Sequence, residues 1–489
     1  MSLDAAYAEF LKKYPQYSAT GRIDALRESD YGRLDATEQI YLDYTGGALH
    51  GASQVRAHAD ALTEHVFSNP HSANLTSAAT TDLVEKARRY VLEYFNAPAD
   101  EYVAVFTPNA TGALKQVGES YPFGPGGRLV LTADNHNSVN GIREFARAKG
   151  ASVEYAPLTW PELRIDLPRL DSLLDARDLS RPNLFAFPAQ SNFSGVKHPL
   201  DLVARAQARG WDVLLDAAAF VPTNRLDLSA VQPDFVSISF YKMFGYPTGV
   251  GCLLVRSPAL SKLQRPWFAG GTIKFATVHG RSHVLAAREA GFEDGTLNYL
   301  SIPAVEIGLR HLQSVGVDVI QKRIACLTGW LLDRLLALTH QNGRPMVRIY
   351  GPGDLTMRGG TITLNMYDPD GHLLDYRRVE ELASFERISL RTGCFCNPGA
   401  GEWAEGLTDD DLRAGLAVSD INLSRVLDVL QHRGGKSIGG LRVSLGLVSN
   451  FADVYRFITF LESLRGQSRL VVGGVTFDIE SCRVMRDGS

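Results

Sequence analysis

The residues with the clearest chemical meaning are a lysine and an aspartate that each follow an apolar run. Lys242 lies just past the run 235–238, with Gly245 three residues further on, and Asp216 closes the earlier run 213–215. A lysine at this place can hold pyridoxal phosphate as a Schiff base, and an upstream strand-end carboxylate can keep the pyridine nitrogen protonated. Taken alone, Lys242 is typical of a solvated surface lysine, and Asp216 could cap a turn. The combination predicts pyridoxal-phosphate chemistry.

Three further segments could contact such a cofactor. The segment 106–112 follows a predicted strand and opens a helix, so the amides of Ala110 and Thr111, with the Thr111 hydroxyl, can face a phosphate at the positive end of the helix. An N-capping threonine explains this segment equally well. His136 could stack on a planar ring, although a lone histidine is more often structural. Asn192 could donate to the phenolic oxygen of the cofactor, and a plain Asx turn is its alternative.

Two thiols lie close together in a loop bounded by glycine and proline. Cys394 and Cys396 follow Arg391, and a cationic neighbour favours the thiolate, which is the nucleophilic form of cysteine. We expect this loop to be mobile. Zinc is a weak alternative, because the Cys-x-Cys spacing has no second pair nearby. Arg442, on a predicted late strand, suits bidentate capture of a substrate carboxylate, with a surface ion pair as its alternative.

Composition restricts the classes of partner. The chain of 489 residues has a formal net charge of -4, which gives no basic surface for nucleic acid. No segment is apolar over the length needed to span a bilayer, and the first ten residues lack a basic start followed by an apolar run. The five cysteines are too few for a disulfide framework. We therefore expect a cytoplasmic protein without nucleic-acid or membrane partners.

The pattern between residues 80 and 260 alternates between strand and helix. Several of the strand-like runs are apolar nearly throughout, as strands covered on both faces must be. The strands are predicted at 102–106, 128–131, 184–187, 212–215, 235–238 and 251–255, and the helices at 83–95, 141–150 and 199–210. This indicates an α/β fold with a mostly parallel, doubly wound sheet, in which ligands bind beyond the carboxyl ends of the strands.

The pattern after residue 300 indicates a second, smaller α+β domain. Helical periodicity predicts two long helices at 302–312 and 317–338. Short strands are predicted after them, at 347–350, 360–365 and 441–445. We predict a large cofactor-binding domain at 41–305. The smaller domain is predicted to combine 1–40 with 306–489.

Six stretches, taken in order, resemble the class V, fold-type I pyridoxal-phosphate enzymes of the cysteine desulfurase group. They are YLDYTGG at 41–47, SNPHS at 68–72, NHNSV at 135–139, SFYKMFGYPTG at 239–249, FEDGTLN at 292–298 and RTGCFCNPG at 391–399. Within this group the chain looks most like the aminotransferase-like domain of molybdenum cofactor sulfurases. The Phe-Tyr-Lys form around Lys242 is shared with those sulfurases, whereas general desulfurases have histidine where Tyr241 stands.

The resemblance implies a role for each candidate residue. It makes Lys242 the Schiff-base lysine, Asp216 the pyridinium partner and His136 the residue stacked on the ring. The other implied roles are phosphate binding by Ala110, Thr111 and Ser239, binding of the neighbouring subunit's phosphate by Thr296 in a homodimer, capture of the substrate carboxylate by Arg442, and persulfide formation on Cys396. Ala219 departs from the glutamine of general desulfurases, which leaves Asn192 as the expected donor to the phenolic oxygen.

The expected activity is that of an L-cysteine desulfurase, a pyridoxal-phosphate-dependent sulfurtransferase that forms alanine and a cysteine persulfide. The sulfur then passes to an acceptor, for which the resemblance suggests the molybdenum cofactor or its carrier protein. Eukaryotic sulfurases continue into a domain that binds this cofactor, and because the chain ends at Ser489 the acceptor stays open. The choice between cysteine and selenocysteine is open too. A lyase, epimerase or aminotransferase of the same fold, or a non-catalytic scaffold, are the alternatives.

Overall fold

The computed structural model describes residues 2–70, 72–417, 429–430, 433, 436–467, 475–478 and 483–486. His71, which belongs to one of the matched stretches, and Cys482 lie outside the described residues. Within this part of the chain, no helix has the length and apolar character needed to cross a membrane.

The strands of the described residues are short and mostly follow the predicted apolar runs. They are β1 Ile40–Tyr41, β2 Tyr102–Thr107, β3 Arg128–Thr132, β4 Ser152–Ala156, β5 Leu158–Thr159, β6 Arg164–Ile165, β7 Asn183–Pro188, β8 Asp212–Asp216, β9 Phe235–Ser239, β10 Gly251–Arg256, β11 Ile273–Ala276, β12 His283–Leu285, β13 Val347–Tyr350, β14 Thr361–Met366, β15 Ile388–Ser389, β16 Arg391–Gly393, β17 Gly440–Ser444, β18 Val475–Asp478 and β19 Arg483–Arg486.

The helices surround these strands. They are α1 Leu3–Lys13, α2 Arg22–Tyr31, α3 Arg33–Ala36, α4 Ala52–Glu64, α5 Leu75–Tyr94, α6 Ala110–Ser120, α7 Asn137–Asn140, α8 Ile142–Ala148, α9 Leu167–Asp175, α10 Leu202–Gln207, α11 Phe240–Phe244, α12 Ser257–Leu260, α13 Ile302–Val315, α14 Val317–Leu336, α15 Tyr376–Phe385, α16 Pro398–Glu405, α17 Asp409–Leu416 and α18 Phe451–Ser463. Two 3₁₀ helices are Pro15–Thr20 and Arg288–Gly291.

A seven-stranded sheet in the order β2-β10-β9-β8-β7-β3-β4 forms the centre of the fold. β10 runs antiparallel to the other six strands, which share one direction, so the sheet is mostly parallel and the predicted fold class is confirmed. Successive residues of β2 face opposite sides, since Val103 and Val105 belong to one apolar core and Ala104 and Phe106 to the other. Covering on both faces explains why the sequences of the central strands are mostly apolar.

The edge strand β4 was missing from the sequence prediction. Most of its residues are exposed or half-buried, because it has only one neighbouring strand and lies at the end of the sheet. A strand of this kind has no continuous apolar run, so the pattern that identified the other strands of this sheet does not apply to it.

A second sheet, β13-β14-β17-β16, is antiparallel throughout and contains the predicted strands after residue 340. The N-terminal segment packs with later helices through ion pairs whose arginines are buried. Arg27 binds Asp453 at 2.6 Å, and the fully buried Arg323 pairs with Asp24. These contacts favour grouping the N-terminal segment with the later part of the chain, and the domain boundaries themselves stay a prediction.

Candidate active site

A pocket lies at the carboxyl ends of β2, β8 and β9, where ligands bind in open α/β sheets. Its lining contains seven of the residues chosen from the sequence, namely Ala110, Thr111, His136, Asn192, Asp216, Ser239 and Lys242. Segments separated by more than 100 residues therefore meet in one cavity. Ser138 and Gln190 line the same pocket and were not predicted.

Lys242 lies on the short helix α11, directly after the central strand β9. The helix ends at Gly245, whose φ of 79° lies in the left-handed region that favours glycine. A larger residue would not fit there, because its Cβ would lie 2.4 Å from the backbone of Leu49 and His50. Burial lowers the pKa of the Lys242 ammonium, and the positive charges of Arg442 and Arg391 lower it further, against the opposing charge of Asp216. A lowered pKa increases the fraction of neutral, nucleophilic amine.

Asp216 is held in a fixed orientation at the end of β8. Its Oδ1 accepts a hydrogen bond from the Ser237 hydroxyl at 2.8 Å and another from the Ala218 backbone N–H at 3.1 Å. The residue is only 9% exposed. A buried, oriented carboxylate beside a lysine can act as the partner of a protonated ring nitrogen.

His136 precedes helix α7 and presents a defined tautomer. Its Nδ1 accepts a hydrogen bond from the Ser138 backbone N–H at 3.1 Å, so in the neutral ring the proton is on Nε2. Burial lowers the pKa of His136, and the charge of Lys242 lowers it further. A neutral imidazole is suited to stacking on a planar ring.

The start of α6 contains the segment that was predicted to bind a phosphate. Asn109 caps this helix by accepting a hydrogen bond from the Gly112 N–H at 2.9 Å, and the hydroxyls of Thr111 and Ser138 lie 2.8 Å apart. Ala110, Thr111 and Ser239 line one side of the pocket that also contains Lys242. A helix N-terminus with hydroxyl donors, an amine and a carboxylate fits a cofactor that carries both a phosphate and a protonated ring nitrogen.

Asn192 connects the pocket to the cysteine loop. Its Nδ2 donates to the carbonyl of Phe395 at 2.7 Å, and its Oδ1 accepts from Asn397 Nδ2 at 2.8 Å. One Nδ2 hydrogen is therefore already used by the loop. Gln190, only 3% exposed, adds a second amide to the pocket. Ala219 also lines the pocket, but its methyl group cannot donate a hydrogen bond.

The cysteine loop is hydrogen-bonded to the segment that contains His136. The carbonyl of Cys396 accepts from the Asn137 N–H at 2.7 Å, and Asn397 Nδ2 donates to the carbonyl of Asp134 at 2.7 Å. Phe395 and Cys396 both have positive φ, 56° and 54°, which is uncommon for residues other than glycine. Cys394 and Cys396 are both exposed residues, although burial of the Cys394 thiol raises its pKa.

Arg442 lies on β17 next to the pocket residue Asn192 and is only 2% exposed, so its ion pair with Asp43 is buried and does not lie on the surface. Its guanidinium donates to Asp43 at 3.0 Å and to the carbonyl of Asn192 at 3.0 Å, and it lies 4.6 Å from the centre of the Phe395 ring. Burial lowers the pKa of Arg442 to about 10, partly offset by the charge of Asp43. The side chain is thus a charged donor next to the cysteine loop.

Thr296 does not line the pocket that contains Lys242. It is exposed and lines the neighbouring groove, which Asn109 and Thr111 also line. This placement leaves Thr296 accessible from outside the protomer, on the side of the predicted phosphate site.

Two residues that organise the site were not assigned a role from the sequence, although both lie in matched stretches. Asp43 binds Arg442 and Arg391, and Asn397 ties the cysteine loop to Asn192 and Asp134. Their contacts join positions up to 399 residues apart along the chain. A local pattern carries no signal for such contacts.

Comparison with known proteins gives a consistent family assignment. The sequence model of the Aminotransferase class-V family matches residues 40–457. The molybdenum cofactor sulfurase of Solanum lycopersicum is 37% identical over 95% of this chain and 60% of its own length. The human molybdenum cofactor sulfurase is 35% identical over 91% of this chain and 52% of its own length. The chain thus spans about half to three fifths of the length of these curated relatives.

Solved structures with the same fold are more distant in sequence. An apo cysteine desulfurase from Thermococcus onnurineus superposes with a TM-score of 0.72 at 23% identity, covering 90% of this chain and 97% of the other. The cysteine desulfurase CsdA of Escherichia coli gives a TM-score of 0.70 at 20% identity, covering 90% of this chain and 98% of the other. At this identity the similarity establishes the fold.

Proposed function

Because the chain belongs to the aminotransferase class-V family, we propose that it is a pyridoxal-phosphate-dependent L-cysteine desulfurase of the molybdenum cofactor sulfurase type. The observation that carries the proposal is the anchored loop of Cys396. Its backbone is bound to Asn137 and Asn192, two residues next to or within the lining of the Lys242 pocket. A thiol is therefore held beside a lysine, a carboxylate and a phosphate cradle, which is the combination that desulfuration requires.

Pyridoxal phosphate, when bound, supplies an electron sink for negative charge that develops at the substrate α-carbon. Lys242 is the residue proposed to attach it and to move the α-proton, and Asp216 the residue that pairs with its ring nitrogen. His136 would stack on the ring, and Ala110, Thr111 and Ser239 would bind the phosphate. The residues present in the pocket fit this group, because each of these donors lines the same cavity.

The sulfur chemistry belongs to Arg442 and Cys396. Arg442 binds the carboxylate of L-cysteine, with Asn192 alongside it, and this orients the substrate sulfur toward the loop. The Cys396 thiolate attacks that sulfur, so that a sulfur–sulfur bond forms while the carbon–sulfur bond of the substrate breaks. The electron pair of the broken bond stays on the substrate β-carbon, which takes up a proton and becomes the methyl group of alanine. The products are a persulfide on Cys396 and alanine. The proposed acceptor of the persulfide sulfur is the molybdenum cofactor or its carrier, supported by the names of the relatives.

The proposal is tested by incubating the purified protein and pyridoxal phosphate with L-cysteine. We expect alanine to accumulate and one additional sulfur atom to appear on Cys396, measured by amino-acid analysis and by mass spectrometry of peptides. L-serine is the control, because it offers the same carboxylate and amine without a sulfur atom. Pyruvate with free sulfide, or a keto acid, would instead identify a lyase or an aminotransferase.

A homodimer is the proposed active assembly, with Thr296 reaching the phosphate of the neighbouring subunit's cofactor. Support comes from the segment 267–300, which contains Thr296 and exposes several large apolar side chains. The exposed set comprises Trp267, Phe268, Phe275, Val278, Val284 and Leu300, of which Val278 is 91% exposed. Apolar patches of this kind are typical of surfaces that another protein covers.

Replacing Thr296 with alanine is expected to weaken pyridoxal phosphate binding about tenfold, the loss of one hydrogen bond to a charged group. The dissociation constant is measured by equilibrium dialysis, and Thr459→Ala, an exposed threonine on α18, is the matched control. Dilution to monomer should weaken binding in the wild-type protein as well, as followed by sedimentation. A monomer that keeps full cofactor affinity contradicts the shared site.

The cytoplasm is the proposed compartment. The four described cysteines, Cys252, Cys326, Cys394 and Cys396, are all free. A reducing compartment would keep the Cys396 thiol available between turnovers.

A further inference from the structure

Two arginines of the site lie directly opposite each other on adjacent strands. Arg391 of β16 and Arg442 of β17 are register partners in the antiparallel pair, which places both side chains on the same face of the sheet. Like charges in this arrangement repel each other. Both charges act on the nearby Lys242, whose pKa they lower.

Asp43 lies between the two arginines and binds both. Its carboxylate accepts from Arg442 at 3.0 Å and from Arg391 at 2.7 Å, and Asp43 is only 8% exposed. Within the described part of the chain, neither arginine has another ion-pair partner. Glu380 of α15 lies near Arg391, and its carboxylate accepts a hydrogen bond from the Thr392 hydroxyl. Among the described residues, Glu380 forms no ion pair with Arg391 or Arg442.

The backbone fixes the position of Asp43. The Ser444 N–H donates to the carbonyl of Leu42 at 2.7 Å, and the Thr45 N–H donates to the Ser444 hydroxyl at 2.8 Å. Gly46 leaves no room for a side chain, since a Cβ there would lie 2.5 Å from the Asp43 carboxylate and 2.6 Å from Arg391. The carboxylate is therefore held beside β17 and is not free to leave the arginines.

We propose that Asp43 is a specificity-determining residue that sets how many carboxylates the site accepts. Two guanidinium groups and one carboxylate leave a single uncompensated positive charge, which one substrate carboxylate neutralises. A second carboxylate on the ligand would meet the fixed charge of Asp43. Amino acids with one carboxylate, such as cysteine, are thus accepted, and dicarboxylic ones are rejected by repulsion.

This inference rests on the proposed function for the identity of the substrate, and its test requires no turnover. Propionate and succinate, which carry one and two carboxylates and cannot react, are titrated by calorimetry into the protein loaded with pyridoxal phosphate. The wild-type protein is expected to prefer propionate. A protein that fails to release alanine from cysteine can still show this preference, so the two proposals fail separately.

Asp43→Asn removes the carboxylate charge with little change of shape. We expect succinate to gain about tenfold in affinity relative to propionate, because two positive charges are then uncompensated. Asp318→Asn is the control, since it removes an exposed aspartate that pairs with Arg225 elsewhere. An unchanged ratio of the two affinities in Asp43→Asn overturns the proposal.

Arg391→Gln tests the charge count from the other side. It leaves Arg442 and Asp43 balanced, so propionate is expected to bind about tenfold more weakly. The double variant Asp43→Asn/Arg391→Gln restores a single positive charge and with it the wild-type preference. The assignment is contradicted if Arg391→Gln binds propionate as well as the wild-type protein does, or if the succinate-to-propionate affinity ratio of the double variant exceeds that of the wild-type protein. Either result can be read even where Asp43→Asn alone does not fold.

Discussion

Replacing Cys396 with serine is expected to stop persulfide and alanine production while pyridoxal phosphate binding stays intact. A hydroxyl is little ionised near neutral pH and is a poor nucleophile toward sulfur, so turnover should fall by about 10³-fold or more. The loop itself should keep its conformation. The contacts that hold it use the carbonyls of Phe395 and Cys396 and the side chain of Asn397, and serine changes none of them. Alanine release and peptide mass spectrometry measure the effect.

Cys394→Ser is the matched control in the same loop. Cys394 precedes the two residues with positive φ, and its carbonyl accepts the Asn397 N–H at 3.0 Å, a contact that serine also allows. We expect a mild decrease in the rate of sulfur delivery and an unchanged persulfide on Cys396. If Cys394→Ser stops turnover and Cys396→Ser leaves it intact, the roles of the two thiols are reversed.

The sheet and the residues at its strand ends were predictable because the signals are local. Strands such as β8 and β9 are apolar on both faces, so their limits appear in the sequence as continuous runs. Asp216 and Lys242 follow those runs directly. Since parallel strands end at one edge of a sheet, the fold class alone predicts that the two side chains approach each other, and the pocket contains both.

Contacts between distant segments were not predictable in the same way. Asp43 follows a strand of two residues, and nothing in its neighbourhood indicates that it binds an arginine 399 positions later. The anchoring of the cysteine loop has the same character, because it depends on Asn397 meeting Asn192 across the two sheets. Turn residues such as asparagine predict a loop but not its partner. The resemblance identified the stretches, and the structure supplied the geometry that connects them.

Replacing Lys242 with alanine is expected to remove the covalent link between the protein and pyridoxal phosphate. The purified wild-type protein should be yellow, and treatment with borohydride should fix the cofactor irreversibly on Lys242, as detected by peptide mass spectrometry. In Lys242→Ala no lysine should become labelled, and turnover should fall by about 10²-fold to 10⁴-fold or more, the range for a group that transfers a proton. Non-covalent binding should persist, because Asp216, His136 and Thr111 still line the pocket.

Lys197→Ala is the control that separates this role from a general effect of losing a half-buried lysine. The pKa of Lys197 is lowered by burial, as is that of Lys242, but Lys197 lies near Asn224 and does not line the cofactor pocket. Its removal should leave labelling of Lys242 unchanged. Recovery of the reduced cofactor on another lysine of the wild-type protein would refute the assignment. The reason for expecting Lys242 alone is electrostatic, since burial and the charges of Arg442 and Arg391 lower the pKa of its ammonium in a pocket that Asp216 also lines.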